Sequence, residues 1–376
     1  MPEIRTLLRK VEQMPHGSAK VEAARELWNL ASQDEDASLR FEVLCETLEA
    51  AVFGGASDYF LALIPQMVRL KRDHPEAIDL FVYVWRLKWL ATDITDYPEV
   101  PLERIRQAEA EYERELKSAG GSARTAIYVR WKNAVHMGRF EGTDPLREEF
   151  IGMRRDHHAD CLACEANTLV RDALFHGDHV ESEKRAAGIL AGRTRCAEIP
   201  HLTLSHLALS AELNGEWDKA AAYHQKGYRL VRSNIKFVAE AGLHMAYLAA
   251  SGDVERALRL LKTHIGWLEQ NRTPISHYHF LLGAAATCQA LTEKRKRALK
   301  LTLPAKWLIA WGDKPLSLGE LAERFEQEGR ALSKAFDRRN ETAWHSQNFD
   351  QTLVRIREHR SSRPVSLGQE GHSRPS

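Results

Sequence analysis

The chain is poor in the features that mark most familiar classes. It has five cysteines in 376 residues, an odd number at uneven spacing, which does not build a disulfide framework and suits a reducing compartment. It has no long apolar run. The most apolar stretch, Ala77 to Ala91, is interrupted by Asp79, Arg86 and Lys88, too short and too charged to cross a bilayer. The opening residues, MPEIRTLLRKVEQMP, carry scattered charges and no apolar segment of the secretory kind, so the expected location is cytoplasmic, with no membrane partner. Neither sign of charge dominates. Lys plus Arg total 53 against 52 for Asp plus Glu, and a net charge of +1 lacks the electrostatic footprint of a polyanion binder, so nucleic acid is not an expected partner. The P-loop, GxGxxG, HExxH and GxSxG signatures are all missing, which lowers the expectation of an enzyme.

What the chain does have is a hydrophobic content of 44%, enough for a sizeable core, and a repeat. Gly138, Gly177, Gly215 and Gly252 each end an apolar helical segment, 39, 38 and 37 residues apart. Asp178, Glu216 and Asp253 follow three of them. Glycine supplies a left-handed helix end, and an acid meets the positive end of the next helix. Upstream, Gly54–Gly55 is a further break, 83 residues before Gly138, which leaves room for two units with Asp93 to Pro101 as the turn between them. Leu102, Ile105, Ala108, Tyr112 and Leu116 then form one helical face. Downstream, Glu293 takes the glycine slot and Ala298 a small-residue slot.

Leu204, Leu207, Ala208, Gly215, Trp217, Ala220 and Tyr228 stand in the order of a tetratricopeptide unit, and Ala257 follows Gly252 at the same interval as Ala220 follows Gly215. The chain therefore resembles the tetratricopeptide (TPR) family, with units longer than the usual ~34 residues and Gly227 in a slot usually held by Ala. The resemblance implies an all-α fold, an α-α superhelix (solenoid) of stacked helical hairpins. Residues 1–120 would form degenerate N-terminal hairpins, 121–302 the TPR-like repeats, 303–360 C-terminal capping helices and 361–376 a disordered tail. Pro65 predicts a kink or a helix start. Leu303–Pro304 and Gly312–Pro315 interrupt the pattern, and Ser317 with Glu320 forms a capping box. Leu318, Leu321, Phe325, Leu332 and Phe336 then lie on one stripe of a long capping helix.

The resemblance also implies a concave groove that takes a protein or peptide. Carrying the family's groove positions over gives Tyr128, Lys132, Asn167, Arg171, Ser205 and Glu212, with Asn167 facing a peptide backbone and Lys132 and Arg171 an acidic side chain or terminus. One group suggests a metal. Cys161 and Cys164 form a CxxC, and Cys196 and His201 follow one unit later, at the equivalent place beside it; a Cys₃His set could hold a structural zinc that staples two units. The competing reading makes these cysteines small apolar residues. No cofactor is required by anything else in the chain. Asp156, His157, His158 and Asp160 read as a polar turn, His277 and His279 point apart on a helix, and Lys294, Arg295, Lys296 and Arg297 read as a solvated turn. The expected function is a non-catalytic protein- or peptide-binding scaffold. The alternatives are a metal-containing hydrolase-type enzyme centred on Asp156–His201, and a helical-repeat RNA-binding protein.

Overall fold

The computed structural model describes residues 2–293, 301–312 and 314–362. The basic run Lys294–Arg297, Ala298 and the tail beyond Ser362 lie outside them. The described residues are folded as helices: α1 (Pro2–Glu12), α2 (Ser18–Ala31), α3 (Ala37–Phe53), α4 (Ser57–Asp73), α5 (Leu80–Asp93), α6 (Leu102–Ser118), α7 (Ala123–His136), α8 (Thr143–Gly152), α9 (Leu162–Phe175), α10 (His179–Leu190), α11 (His201–Leu213), α12 (Trp217–Val231), α13 (Val238–Ser251), α14 (Val254–His264), α15 (Trp267–Gln270), α16 (Pro274–Thr292), α17 (Ala305–Trp311), α18 (Leu318–Asn340) and α19 (Trp344–Ser362).

The glycine punctuation sets the hairpins. Gly138, Gly177, Gly215 and Gly252 take φ values of 69°, 79°, 80° and 82° and end α7, α9, α11 and α13. A Cβ is disfavoured in that left-handed region. Asp178 and Asp253 then cap α10 and α14, accepting from the N–H groups of Glu181 and Arg256. Glu216 stands at the same place, but its carboxylate meets His179 and Lys219 instead. Pro65 lies inside α4 and starts no helix. The Ser317–Glu320 capping box is formed in both directions.

In each hairpin one helix packs against the corresponding helix of the hairpins before and after it. The inner series runs α3, α5, α7, α9, α11, α13, α16 and α18. Small residues allow the closest approach. Ala220 and Ala257 are fully buried where α12 and α14 meet their partners. At the crossing of α13 and α16, a Cβ on Gly242 would stand 2.4 Å from the His279 carbonyl oxygen, and one on Gly283 2.1 Å from the Gly242 carbonyl oxygen.

The stack curves back on itself. Lys236 and Asn234, just before α13, donate to the carbonyls of Val52 and Phe53 at the end of α3, at 2.9 and 3.3 Å. α16 touches the Ile94–Asp96 turn that follows α5. The capping element is a hairpin. After α18, Glu341 adopts a left-handed turn (φ 58°) and α19 returns across α11, α13 and α16. Two large apolar cores occupy the ends of the stack, one over α1–α7 and one over α11–α19. Between them the apolar clusters are small, and the inner faces of α5 to α16 surround a lumen with a mixed polar and apolar lining.

Candidate functional site

The lumen is a cavity of about 420 Å³. Helical spacing on the inner helices places its walls: Trp85, Trp89 and Asp93 from α5, Tyr128, Lys132 and His136 from α7, Cys164, Thr168 and Arg171 from α9, Leu202 and His206 from α11, and Ile275 and His279 from α16. Each set recurs at three or four residues, one face of a helix. Asp96, Asp160, Cys161, Cys196, Glu198, Lys236 and Glu240 join from turns and helix starts.

Four of the expected groove residues line this lumen and two do not. Tyr128, Lys132, Asn167 and Arg171 all face it. The hydroxyl of Tyr128 meets Thr168 at 2.9 Å, and the amide oxygen of Asn167 accepts from Thr203 at 2.6 Å. Ser205 is fully buried and donates to the Leu202 carbonyl, and Glu212 is fully buried with His359 of α19 at 3.0 Å. On α11, Leu202 and His206 hold the lumen positions instead.

The cations fall into two kinds. Lys236 is paired with Glu198 at 2.7 Å and Lys88 with Asp160 at 2.6 Å. Burial raises both of those carboxyls, but the neighbouring lysines outweigh it and hold them below the usual carboxylate range. Lys132 makes no hydrogen bond or ion pair with a described residue. Arg171 has its Nη2 2.9 Å from Nδ1 of His136, and its Nε is buried without a partner. Three further acids of the lumen, Asp93, Asp96 and Glu240, pair with no lysine or arginine among the described residues, though Asp93 accepts from the Thr92 hydroxyl at 3.2 Å. Burial pushes Asp93 and Glu240 up to about 7 and Asp96 to about 6. The Nε2 of His136 stands 2.8 Å from Asp96, off the line of a hydrogen bond. Burial lowers His136 and His206 well below the ordinary imidazole value and His279 to about 3, with Arg171 adding to each, so these rings are neutral.

At the edge of the lumen three thiols converge. The sulfurs of Cys161, Cys164 and Cys196 all lie within 4.8 Å of one another, with Cys164 and Cys196 at 3.5 Å. Cys161 caps α9, and its sulfur accepts from the Cys164 N–H at 3.4 Å. Hydrogen bonding with Cys164 and Cys196 lowers the Cys161 thiol, and hydrogen bonding with Cys161 and Cys196 raises that of Cys164. His201 is outside this group. As the first residue of α11 it stacks on Phe237, ring centroids 4.8 Å apart. Asp156 accepts from the N–H groups of Ser122 and His158, as befits a turn, and His157 and His158 pack on Phe81. No protein-family model matches the chain, and no curated protein matches it in sequence.

The sequence reading missed Asp93, Asp96, His136, Glu198, His206, Lys236, Glu240 and His279. No motif joins them. The available signal was polar residues recurring on helices that are otherwise apolar, such as Lys132 with His136, or His279 within the apolar α16.

Proposed function

We propose that the chain is a non-catalytic binding protein that takes the free end of a peptide or protein into its lumen. The observation that carries this reading is the pair of cations in the lumen, Lys132 and Arg171, that no carboxylate of the chain neutralises by contact. A cation held half-buried in a cavity without a contacting partner is costly, and a carboxylate from outside relieves it through charge-assisted hydrogen bonds. Asp93 and Glu240, which ionise near neutral pH, complement the opposite charge on a backbone or side-chain amine. A cavity of about 420 Å³ falls in the range of small-ligand sites, roughly 300–1,000 Å³, and takes a chain end rather than a long extended segment. The aromatic walls, Trp85, Trp89 and Tyr128, supply apolar contact.

The test is calorimetric titration with a panel of tripeptides, each prepared with a free and with an amidated C-terminus. One charge-assisted bond contributes roughly 1.5–3 kcal/mol, so the free acids should bind about tenfold or more tighter than the amides. Equal binding of the two forms, or no binding of either, refutes the proposal.

A further inference from the structure

We propose that Cys161, Cys164 and Cys196 bind one thiophilic divalent cation, zinc first, as three thiolates, and leave its fourth position open to the lumen. This inference does not rest on the peptide reading, since metal can be measured with the lumen empty.

The geometry is that of a ligand set. Two thiolates on a tetrahedral zinc, with Zn–S near 2.3 Å, stand about 3.8 Å apart. Cys164 and Cys196 are at 3.5 Å and the third sulfur is within 4.8 Å of both. The three come from two neighbouring hairpins, and no disulfide joins them. Backbone supports the negative form. Cys161 occupies the start of α9, where the helix end favours an anion, and the Cys164 N–H points at its sulfur. Cys196 is fixed by a turn in which its N–H donates to the Ile199 carbonyl at 2.9 Å. Binding releases the thiol protons to solvent and leaves one negative charge on the complex, with the ammonium of Lys88 close enough to interact with Cys164.

The open position follows from what the described residues around the sulfurs lack. His201 is turned onto Phe237. Asp160, Glu165 and Glu198, the nearest acids in sequence, are held by Lys88, Arg124 and Lys236. A closed structural zinc has four protein ligands, whereas an open one keeps a place for water or for a donor atom of a bound molecule. The other cluster of metal-ligating type among the described residues, His179, Glu183 and Glu216, already carries Lys219 at 2.6 Å from Glu183 and 3.0 Å from Glu216, and has no need of a metal.

The test uses the full chain, reduced, stripped with chelator and titrated anaerobically with Co²⁺. A thiolate-to-cobalt charge-transfer band should grow to one ion per chain and vanish on adding Zn²⁺. Cys161→Ser, Cys164→Ser and Cys196→Ser should each weaken cobalt binding by roughly tenfold or more, whereas Cys45→Ser, Cys288→Ser and His201→Ala should leave it unchanged. Circular dichroism on each variant separates lost binding from lost fold. Absence of the band, or cobalt affinity unchanged in Cys196→Ser, overturns the site. Loss of the band in His201→Ala overturns its open fourth position.

Discussion

Replacing Arg339 by Ala should unlock the closure of the stack. Arg339 lies in the last turn of α18 and is 8% exposed. Its Nη1 donates to the carbonyls of Tyr97 and Val100 at 2.9 and 3.3 Å, and its Nη2 to that of Thr95 at 2.6 Å. Its Nε donates to Asn340 Oδ1 at 2.5 Å, and Asn340 in turn donates to the Met137 carbonyl at 2.9 Å. Burial lowers the guanidinium to about 10, so it stays charged at neutral pH. A hydrogen bond from a charged donor contributes roughly 1.5–3 kcal/mol. Alanine removes the whole set and leaves the buried Thr95 carbonyl without its charged donor, while water entering the gap returns part of the loss. The expected cost is about 3–5 kcal/mol. Arg339→Lys keeps the charge but offers no planar fork, so it should recover part of that. Denaturant unfolding gives the loss, and hydrogen exchange at residues 94–100 should rise in step, because that turn carries Asp96 to the lumen. A cost below about 1 kcal/mol, with unchanged exchange in the turn, would refute the reasoning.

Gly242→Ala should drive a methyl group into the backbone of α16, which has no flexible side chain to move aside, and should lower thermal stability by about 1–3 kcal/mol or more; an unchanged melting temperature contradicts the close crossing. Ala220→Leu and Ala257→Leu should each cost about 1–3 kcal/mol by overpacking their hairpins, read as lower unfolding midpoints in both. Acidification should destabilise the fold. His136, His206, His244 and His279 are neutral in the fold with lowered pKa values, so the unfolded chain binds more protons once the pH falls below about 6.5. Asp93, Asp96 and Glu240 act in the opposite sense, because they hold protons in the fold up to about pH 6 to 7 that the unfolded chain has lost. The histidines outnumber them, so the denaturant midpoint should fall between pH 7.5 and pH 5.5, about one unit on either side of the free imidazole value, and fall further in Glu240→Gln; a midpoint that rises on acidification contradicts this.

The hairpins were legible because their punctuation is local. A left-handed glycine followed by a capping acid needs only neighbouring residues, and the Ser317–Glu320 box likewise. The approach of Cys161, Cys164 and Cys196 was legible because equivalent turns of adjacent hairpins lie side by side. The expected groove positions on α7 and α9 line the lumen, and those on α11 do not. Each added residue rotates a helical face by about 100°, so positions carried over from shorter units drift away from Ser205 and Glu212 toward Leu202 and His206. His201 was misplaced for a related reason, as the first residue of α11 faces Phe237. The closure left no trace in the pattern. Arg339 and Thr95, or Lys236 and Val52, meet across long stretches of chain, and single long-range hydrogen bonds carry no periodicity.

The most direct measurement of the central claim is the affinity of the lumen for a free-carboxylate tripeptide in the wild type and in Lys132→Gln. Lys132 makes no bond to the described residues, so its loss should spare the fold while removing the carboxylate's partner. The account predicts a melting temperature close to wild type and binding about tenfold or more weaker. Full affinity in Lys132→Gln contradicts it.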